Sequence, residues 1–462
     1  MLPKRLHNIL SCRGWVNTSV CVLISCALAF LLLVYPVLLA TVWKNVSVSP
    51  TVPLPPKRDL VDPSTPEHAR TWTPYRGKLY KLVFSDEFNQ PHRTFGPNHD
   101  PFWQAVDLHY WPTGDQEYYK PEQVTTAKGN LRIRIERKKV GGLNYASGML
   151  QSWNKLCLRG GYLEARVSLP GSGHISGYWS SIWLLGNLAR AGYGATTEGL
   201  WPYSYNTCDQ GVLKHQNNSQ LSHLFGQRLS ACLCHDQDTP SPGIGRNGVE
   251  LDLFEASSSP DWGPTASQSH QFAPFDADRR IDESYITIFD PVKTRLNSYR
   301  GGLLQQTVSF VTSVNEEAFE EHAYTVFGVE YVPGEHGWVQ WYVDGKPTCR
   351  LDARAVDKNA ASGVAQRLIA NEPMSIIINV GMSDSFSPID HEHLPPHATM
   401  SVDYIRLYQP PERTDLGCDP PDMPTATYIR DHRRAYEVWN YTTWAQAGYT
   451  WPQSKLNPSC AA

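Results

Sequence analysis

The chain has 462 residues, with 41 Lys+Arg against 45 Asp+Glu, and only 19% of it is charged. It is rich in rings (15 Trp, 23 Tyr, 14 Phe) and carries 33 Gly and 35 Pro. That balance excludes a polybasic nucleic-acid binder and a disordered polyelectrolyte, and the length allows one large core or several smaller ones.

The charge is unevenly placed. Between Arg13 and Lys44 there are 30 residues without an acidic or basic side chain, and the stretch from Val20 to Ala40 is nearly all apolar. About 20 apolar residues span a hydrocarbon core of about 30 Å, whereas the apolar run of a cleaved signal peptide is only about 7–15 residues. Residues 19–43 are therefore expected to form a transmembrane helix. Lys4, Arg5 and Arg13 precede the span and only Lys44 follows closely, which places residues 1–18 in the cytosol. The result is a single-pass type II membrane protein of the secretory pathway (endoplasmic reticulum, Golgi or plasma membrane), its bulk lumenal or extracellular. In that topology the sequons at Asn45, Asn217 and Asn440 become glycosylation candidates. Cys157, Cys208, Cys232, Cys234, Cys349, Cys418 and Cys460 would lie in an oxidising space; seven is odd, so at least one stays free or pairs between chains. A zinc site at Cys208, Cys232, Cys234 and His235 fits no usual ligand spacing.

Residues 44–75 are proline-rich and aperiodic, and read as an extended stalk. From Tyr80 onward come short alternating runs: residues 80–84, Leu131 to Glu136, Tyr162 to Leu169, Trp338 to Val343, Ser375 to Val380 and Met400 to Tyr408. Gly, Pro, Asn and Asp punctuate them, as at Asp344-Gly345. The pattern predicts an all-β fold, an antiparallel β-sandwich, with at most a weak helical patch over 354–370. Gly243-Ile244-Gly245-Arg246-Asn247-Gly248 satisfies a dinucleotide-binding pattern, but it follows a loop and precedes a strand-like run, the reverse of what that site needs. His391, His393 and His397 resemble a metal cluster, yet Pro395 and Pro396 prevent the required helix, and a solvated loop is the simpler reading.

The informative segment is Val249-Glu250-Leu251-Asp252-Leu253-Phe254-Glu255. Alternation along a strand puts Glu250 and Asp252 on one face and Val249, Leu251 and Leu253 on the other, which leaves Glu255 with the wrong parity. A β-bulge after Asp252 would return Glu255 to the acidic face, and bulges are enriched beside active sites. Three carboxyls so crowded cannot all ionise freely, so at least one pKa must rise. Retaining glycosidases need such unlike partners: an ionised nucleophile and a carboxyl that is first an acid and then a base, about 5–5.5 Å apart. An ordinary amphipathic strand with a wet acidic face is the alternative.

Glu-Leu-Asp-Leu-Phe-Glu resembles the E-x-D-x-x-E signature of glycoside hydrolase family 16, the laminarinase-like, concanavalin-like jelly-roll enzymes. Further matching segments occur in that family's order: residues 82–89 (LVFSDEFN), 177–185 (GYWSSIWLL), 341–345 (WYVDG) and 402–408 (VDYIRLY). Within that family, residues 186–188, 201–209, 226–234, 267–269 and 272–275 and the tail from Cys418 to Cys460 are similar to the fungal membrane-anchored proteins needed for cell-wall β-1,6-glucan. The resemblance implies one catalytic sandwich over 76–410 with an insertion at 186–247, and a Cys-bounded extension over 411–462. It further implies Glu250 as nucleophile, Glu255 as acid/base and Asp252 as the carboxyl that tunes Glu250. Trp179 and Trp183, four apart on one strand face, would stack on glucose rings, with core packing as the other reading of both. Gln268 would bond sugar hydroxyls. The insertion would wall the cleft. No metal or cofactor is called for, and the expected partner is a β-glucan chain. A non-catalytic glucan-binding or scaffold protein of wall assembly is the second functional reading.

Overall fold

The computed structural model describes residues 58–75, 77–200, 204–209, 228–272, 276–302, 305–455 and 460. The expected cytosolic tail, the membrane span, the first part of the stalk, and the sequons at Asn45 and Asn217 lie outside the described residues. Among the described residues no helix is long and apolar enough to cross a membrane. Asn440 is exposed.

Two sheets stack face to face, one of 13 strands and one of nine among the described residues. The nine-stranded sheet runs, from one edge, through Thr294–Leu296, Gln306–Ser313, Thr265–Phe272, Glu250–Ser257, Trp179–Gly186, Met374–Gly381, Met149–Gln151 and Gln104–Ala105. All of these pairs are antiparallel. In the other sheet His397–Gln409 pairs with Gly161–Ser168, Tyr80–Asp86 and Asn130–Val140. The all-β sandwich expected from the alternation is thus present. Between the sheets lie buried Val, Leu, Ile, Phe and Trp side chains such as Ile133, Leu163, Leu251, Phe310, Trp341 and Ile405. Asp344 (φ 49°) and Gly345 (φ 72°) make the left-handed two-residue turn that joins Trp338–Val343 to Lys346–Asp352.

The start and end of the sandwich are held together by charge. Arg93 forks onto Asp86 (2.8 Å to each oxygen) and reaches Asp100 (2.7 Å), while Arg406 forks onto Glu87 (2.9 and 2.8 Å). The acids of the 82–89 segment therefore have structural partners, one of them in the 402–408 segment.

Two expectations are corrected. Residues 58–75, read as the end of an extended stalk, pack on the outer sheet: Thr71–Trp72 pairs with Tyr80–Asp86, and the Trp72 ring stacks on Tyr162 at 3.6 Å. Apolar burial of that ring outweighs the extended preference of the surrounding prolines. The helical patch over 354–370 shrinks to the 3-10 turn Ala353–Val356.

The insertion and the C-terminal extension form a second apolar core. Leu188, Ala189, Ala195, Leu200 and Leu229 meet Tyr428, Ile429, Tyr436 and Trp444 over the sheet residues Trp183, Leu185 and Ile377. Disulfides Cys157–Cys418, Cys208–Cys232 and Cys234–Cys460 brace it and remove the thiolates a zinc site would need; Cys349 is the free, buried cysteine. The buried Arg246–Glu372 fork (2.8–3.1 Å) adds a junction, since Arg246 also donates to Pro424 O at 2.7 Å. The glycine-rich stretch around Arg246 is thus a packed loop.

Candidate active site

The carboxyls are placed by a bulge. Asp252 pairs with Ser269 and Glu255 with Ser267, so Leu253 and Phe254 together oppose the single residue Gln268. On the other flank Trp183 pairs with Asp252 and Ile182 with Phe254, passing over Leu253. Leu253 and Phe254 both turn into the core, where Phe254 stacks on Phe327 at 4.0 Å. Parity is reset, and Glu250, Asp252 and Glu255 share the face away from the core. Trp341 of the opposite sheet, fully buried, donates from Nε1 to Asp252 O in the bulge at 2.7 Å.

The electrostatics of the three acids are coupled. Asp252 is 1% exposed and its pKa is pushed up to about 7, by burial first, against hydrogen bonds from Ser269 and Gln271 that favour its charged form. Ser269 Oγ donates to Asp252 Oδ2 at 2.5 Å and Gln271 Nε2 lies 3.5 Å from the same oxygen. Glu250 is held well above the usual carboxylate range by burial, then by the charges of Asp252 and Glu255, with Gln271 opposing. Glu255 is likewise raised by burial and by Asp252, and Trp179 opposes. Such a cluster carries fewer than three charges near neutral pH, so a protonated and an ionised carboxyl coexist.

Trp179 is half-buried at this site: its Nε1 donates to Glu255 Oε1 at 3.0 Å, and its ring stacks on Phe386 at 4.2 Å, which leaves only its other face for a ligand. Trp183 takes a different role. It is buried in the second core and donates to Asn379 Oδ1 at 2.8 Å, so it packs the floor and offers no ring to a sugar. Gln268 is also corrected: it is fully buried between the sheets, accepting from Thr312 (2.9 Å) and from Thr348 (2.8 Å) of the opposite sheet. Its neighbours Ser269 and Gln271 face the acids. Counting parity outward from the bulge, rather than from the strand's overall polarity, would have found them.

Sequence reasoning also missed a second acidic pair on the same face. Gly381 lies directly across from Trp179, and a Cβ there would sit 3.3 Å from Glu117 Oε1, 3.3 Å from Tyr119 OH and 3.5 Å from Asp115 Oδ2. Glu117 is fully buried and raised well above the carboxylate range, by burial and then by Asp115. On the far side of the acids stands half-exposed Tyr299, whose phenol feels the charges of Glu255 and Glu250. Among the described residues no group of three His, Cys, Asp or Glu is arranged to hold a metal ion.

A family model described as "Beta-glucan synthesis-associated protein SKN1/KRE6/Sbg1" matches residues 4–460. The chain is 41% identical over 413 residues to the beta-glucan synthesis-associated protein KRE6 of Saccharomyces cerevisiae, covering 88% of this chain and 57% of that protein. It is 42% identical over 410 residues to SKN1 of the same yeast, covering 87% and 53%. The chain thus spans about half the length of the curated relatives it matches. Among solved structures it is similar to the endo-beta-1,3-glucanase of Pyrococcus furiosus, at 18% identity and a TM-score of 0.46, over 74% of this chain and 98% of that one. With a family model matched almost from end to end, this chain belongs to the SKN1/KRE6/Sbg1 family of beta-glucan synthesis-associated proteins.

Proposed function

We propose that the protein is a membrane-anchored β-glucan hydrolase or transglycosylase of the retaining type, acting in the secretory pathway during assembly of cell-wall β-1,6-glucan. The apolar run from Val20 to Ala40 supports the anchor, and family membership supports the glucan. One observation carries the chemistry: a bulge brings three carboxyls to one face, with Asp252 between two glutamates.

In the first step Glu250, ionised, attacks the anomeric carbon and forms an ester bond. The bond to the leaving oxygen breaks as that oxygen takes the proton of Glu255. In the second step Glu255, now a base, takes a proton from water or from a sugar hydroxyl, whose oxygen displaces Glu250. Gln271 favours the charged form of Glu250 and so suits it to attack. Asp252, once ionised, raises both glutamates and so favours a shared proton between them; on Glu255 that proton is the one the leaving oxygen takes.

Incubation of the purified protein with β-1,3- and β-1,6-linked glucose oligosaccharides, followed by chromatography, tests the reading. Products shorter than the substrate indicate hydrolysis, and longer ones indicate transfer. Turnover that persists in Glu250→Gln would sink the assignment.

A further inference from the structure

The acidic pair beside Gly381 has a readable hydrogen-bond logic. Tyr119, fully buried, donates its hydroxyl proton to Asp115 Oδ2 at 3.2 Å, so its oxygen is left to accept. The atom that meets it at 3.2 Å is therefore Asn379 Nδ2. On the other side of the same amide, Trp183 Nε1 can only donate, and it meets Asn379 Oδ1 at 2.8 Å. Both neighbours demand one orientation of the carboxamide.

The acid pair fixes the first of these neighbours. Glu117 Oε2 accepts from Met382 N at 2.9 Å, while Glu117 Oε1 faces the pocket it shares with Asp115 Oδ2 and Tyr119 OH. Two buried carboxyls this close hold one proton between them, and the remaining charge is what Tyr119 donates to. Asn379 pairs across the strands with Ser181, and Ser181 pairs with Glu255. Neighbouring strands lie about 4.8 Å apart, so Asn379 stands about 10 Å of backbone from Glu255, roughly two sugar widths along the same face. Asn379 keeps 8% of its surface open, and its second N–H meets no acceptor among the described residues.

We infer that Asn379 is a sugar-binding residue, donating its free N–H to a hydroxyl of a glucosyl unit on the Trp179 side of the acids, and that Asp115, Glu117 and Tyr119 are positioning residues that hold its amide in the donating orientation. The inference rests on the glucan reading above. It adds a subsite that the carboxyl cluster alone does not imply.

Calorimetry on the full-length Glu250→Gln protein with laminaripentaose and gentiopentaose separates the two. Failure of this parent to bind either sugar overturns the glucan reading and the subsite with it. Where the parent binds, Asn379→Ala in that background is expected to weaken binding about tenfold, the value of one neutral hydrogen bond. Tyr119→Phe keeps the ring and removes the hydroxyl, both its acceptance from Asn379 and its donation to Asp115, and is expected to weaken binding threefold or more; it decides the matter should Asn379→Ala fail to fold. With Glu250 intact, Tyr119→Phe is expected to raise KM and leave kcat within about twofold, whereas partial unfolding would lower kcat at unchanged KM. Parent-like affinity in Asn379→Ala, or in a folded Tyr119→Phe, overturns the inference.

Discussion

Replacing Asp252 with Asn should make the protein more stable at neutral pH and less active. The folded pKa of Asp252 is raised from 3.8 to about 7, chiefly by burial. Below about pH 4 the carboxyl is protonated in both the folded and the unfolded chain and costs nothing. As pH rises toward 7 the unfolded chain has already lost the proton while the folded one retains it, so unfolding becomes progressively easier. A shift of this size corresponds to a loss on the order of 4 kcal/mol between about pH 4 and pH 7. Asn keeps the Ser269 bond at its oxygen and removes the titration. Urea unfolding at pH 3 and 7.5 should give nearly equal stabilities for Asp252→Asn and the parent at the lower pH, and a gain of up to about 4 kcal/mol for the variant at the higher. Equal stability at both values, or a variant weakened at pH 7.5, would refute the claim that a buried, crowded carboxyl is retained there against stability.

Further outcomes follow from other contacts. Trp341→Phe removes the indole donor to Asp252 O and should cost about 1–3 kcal/mol in chemical unfolding; because that carbonyl sits in the bulge, kcat should fall as well, and full activity in a destabilised variant would separate the bulge from catalysis. Arg246→Ala should cost about 3–5 kcal/mol by stranding Glu372, whereas replacing Arg246 and Glu372 together by Met and Leu should cost far less. Removing Cys157–Cys418 as a double serine variant should cost about 2–5 kcal/mol, read as a lower urea midpoint. Tyr299→Ala should weaken oligosaccharide binding while leaving the melting temperature unchanged, since the ring is 52% exposed.

Much of the sandwich and the bulge in the acidic strand were legible because strand alternation is a local property. The wrong parity of Glu255 suggests a bulge if the three acids are to share a face, and the register shows one between Asp252 and Glu255. Gln268 failed for a complementary reason. Its strand, Thr265–Phe272, has polar residues on both faces, and only the positions of Thr312 and Thr348 reveal which face is interior. Trp183 and Trp179 share a face, but the insertion and extension cover one and spare the other, a matter of contacts between residues hundreds of positions apart. The Asp115, Glu117, Tyr119 and Asn379 network likewise joins segments 260 residues apart, and nothing local marks it. Residues 58–75 look like a linker by composition because the ring that Trp72 stacks on, Tyr162, is remote in sequence.

The most direct test of the account is to trap the first step. A 2-fluoro-substituted activated glucoside or laminaribioside slows departure of the sugar from the nucleophile, and peptide mass spectrometry then locates the ester. The predicted result is a glycosylated Glu250, absent from Glu250→Gln. Label on another residue, or glucan turnover with inversion at the anomeric carbon and no ester, would contradict it.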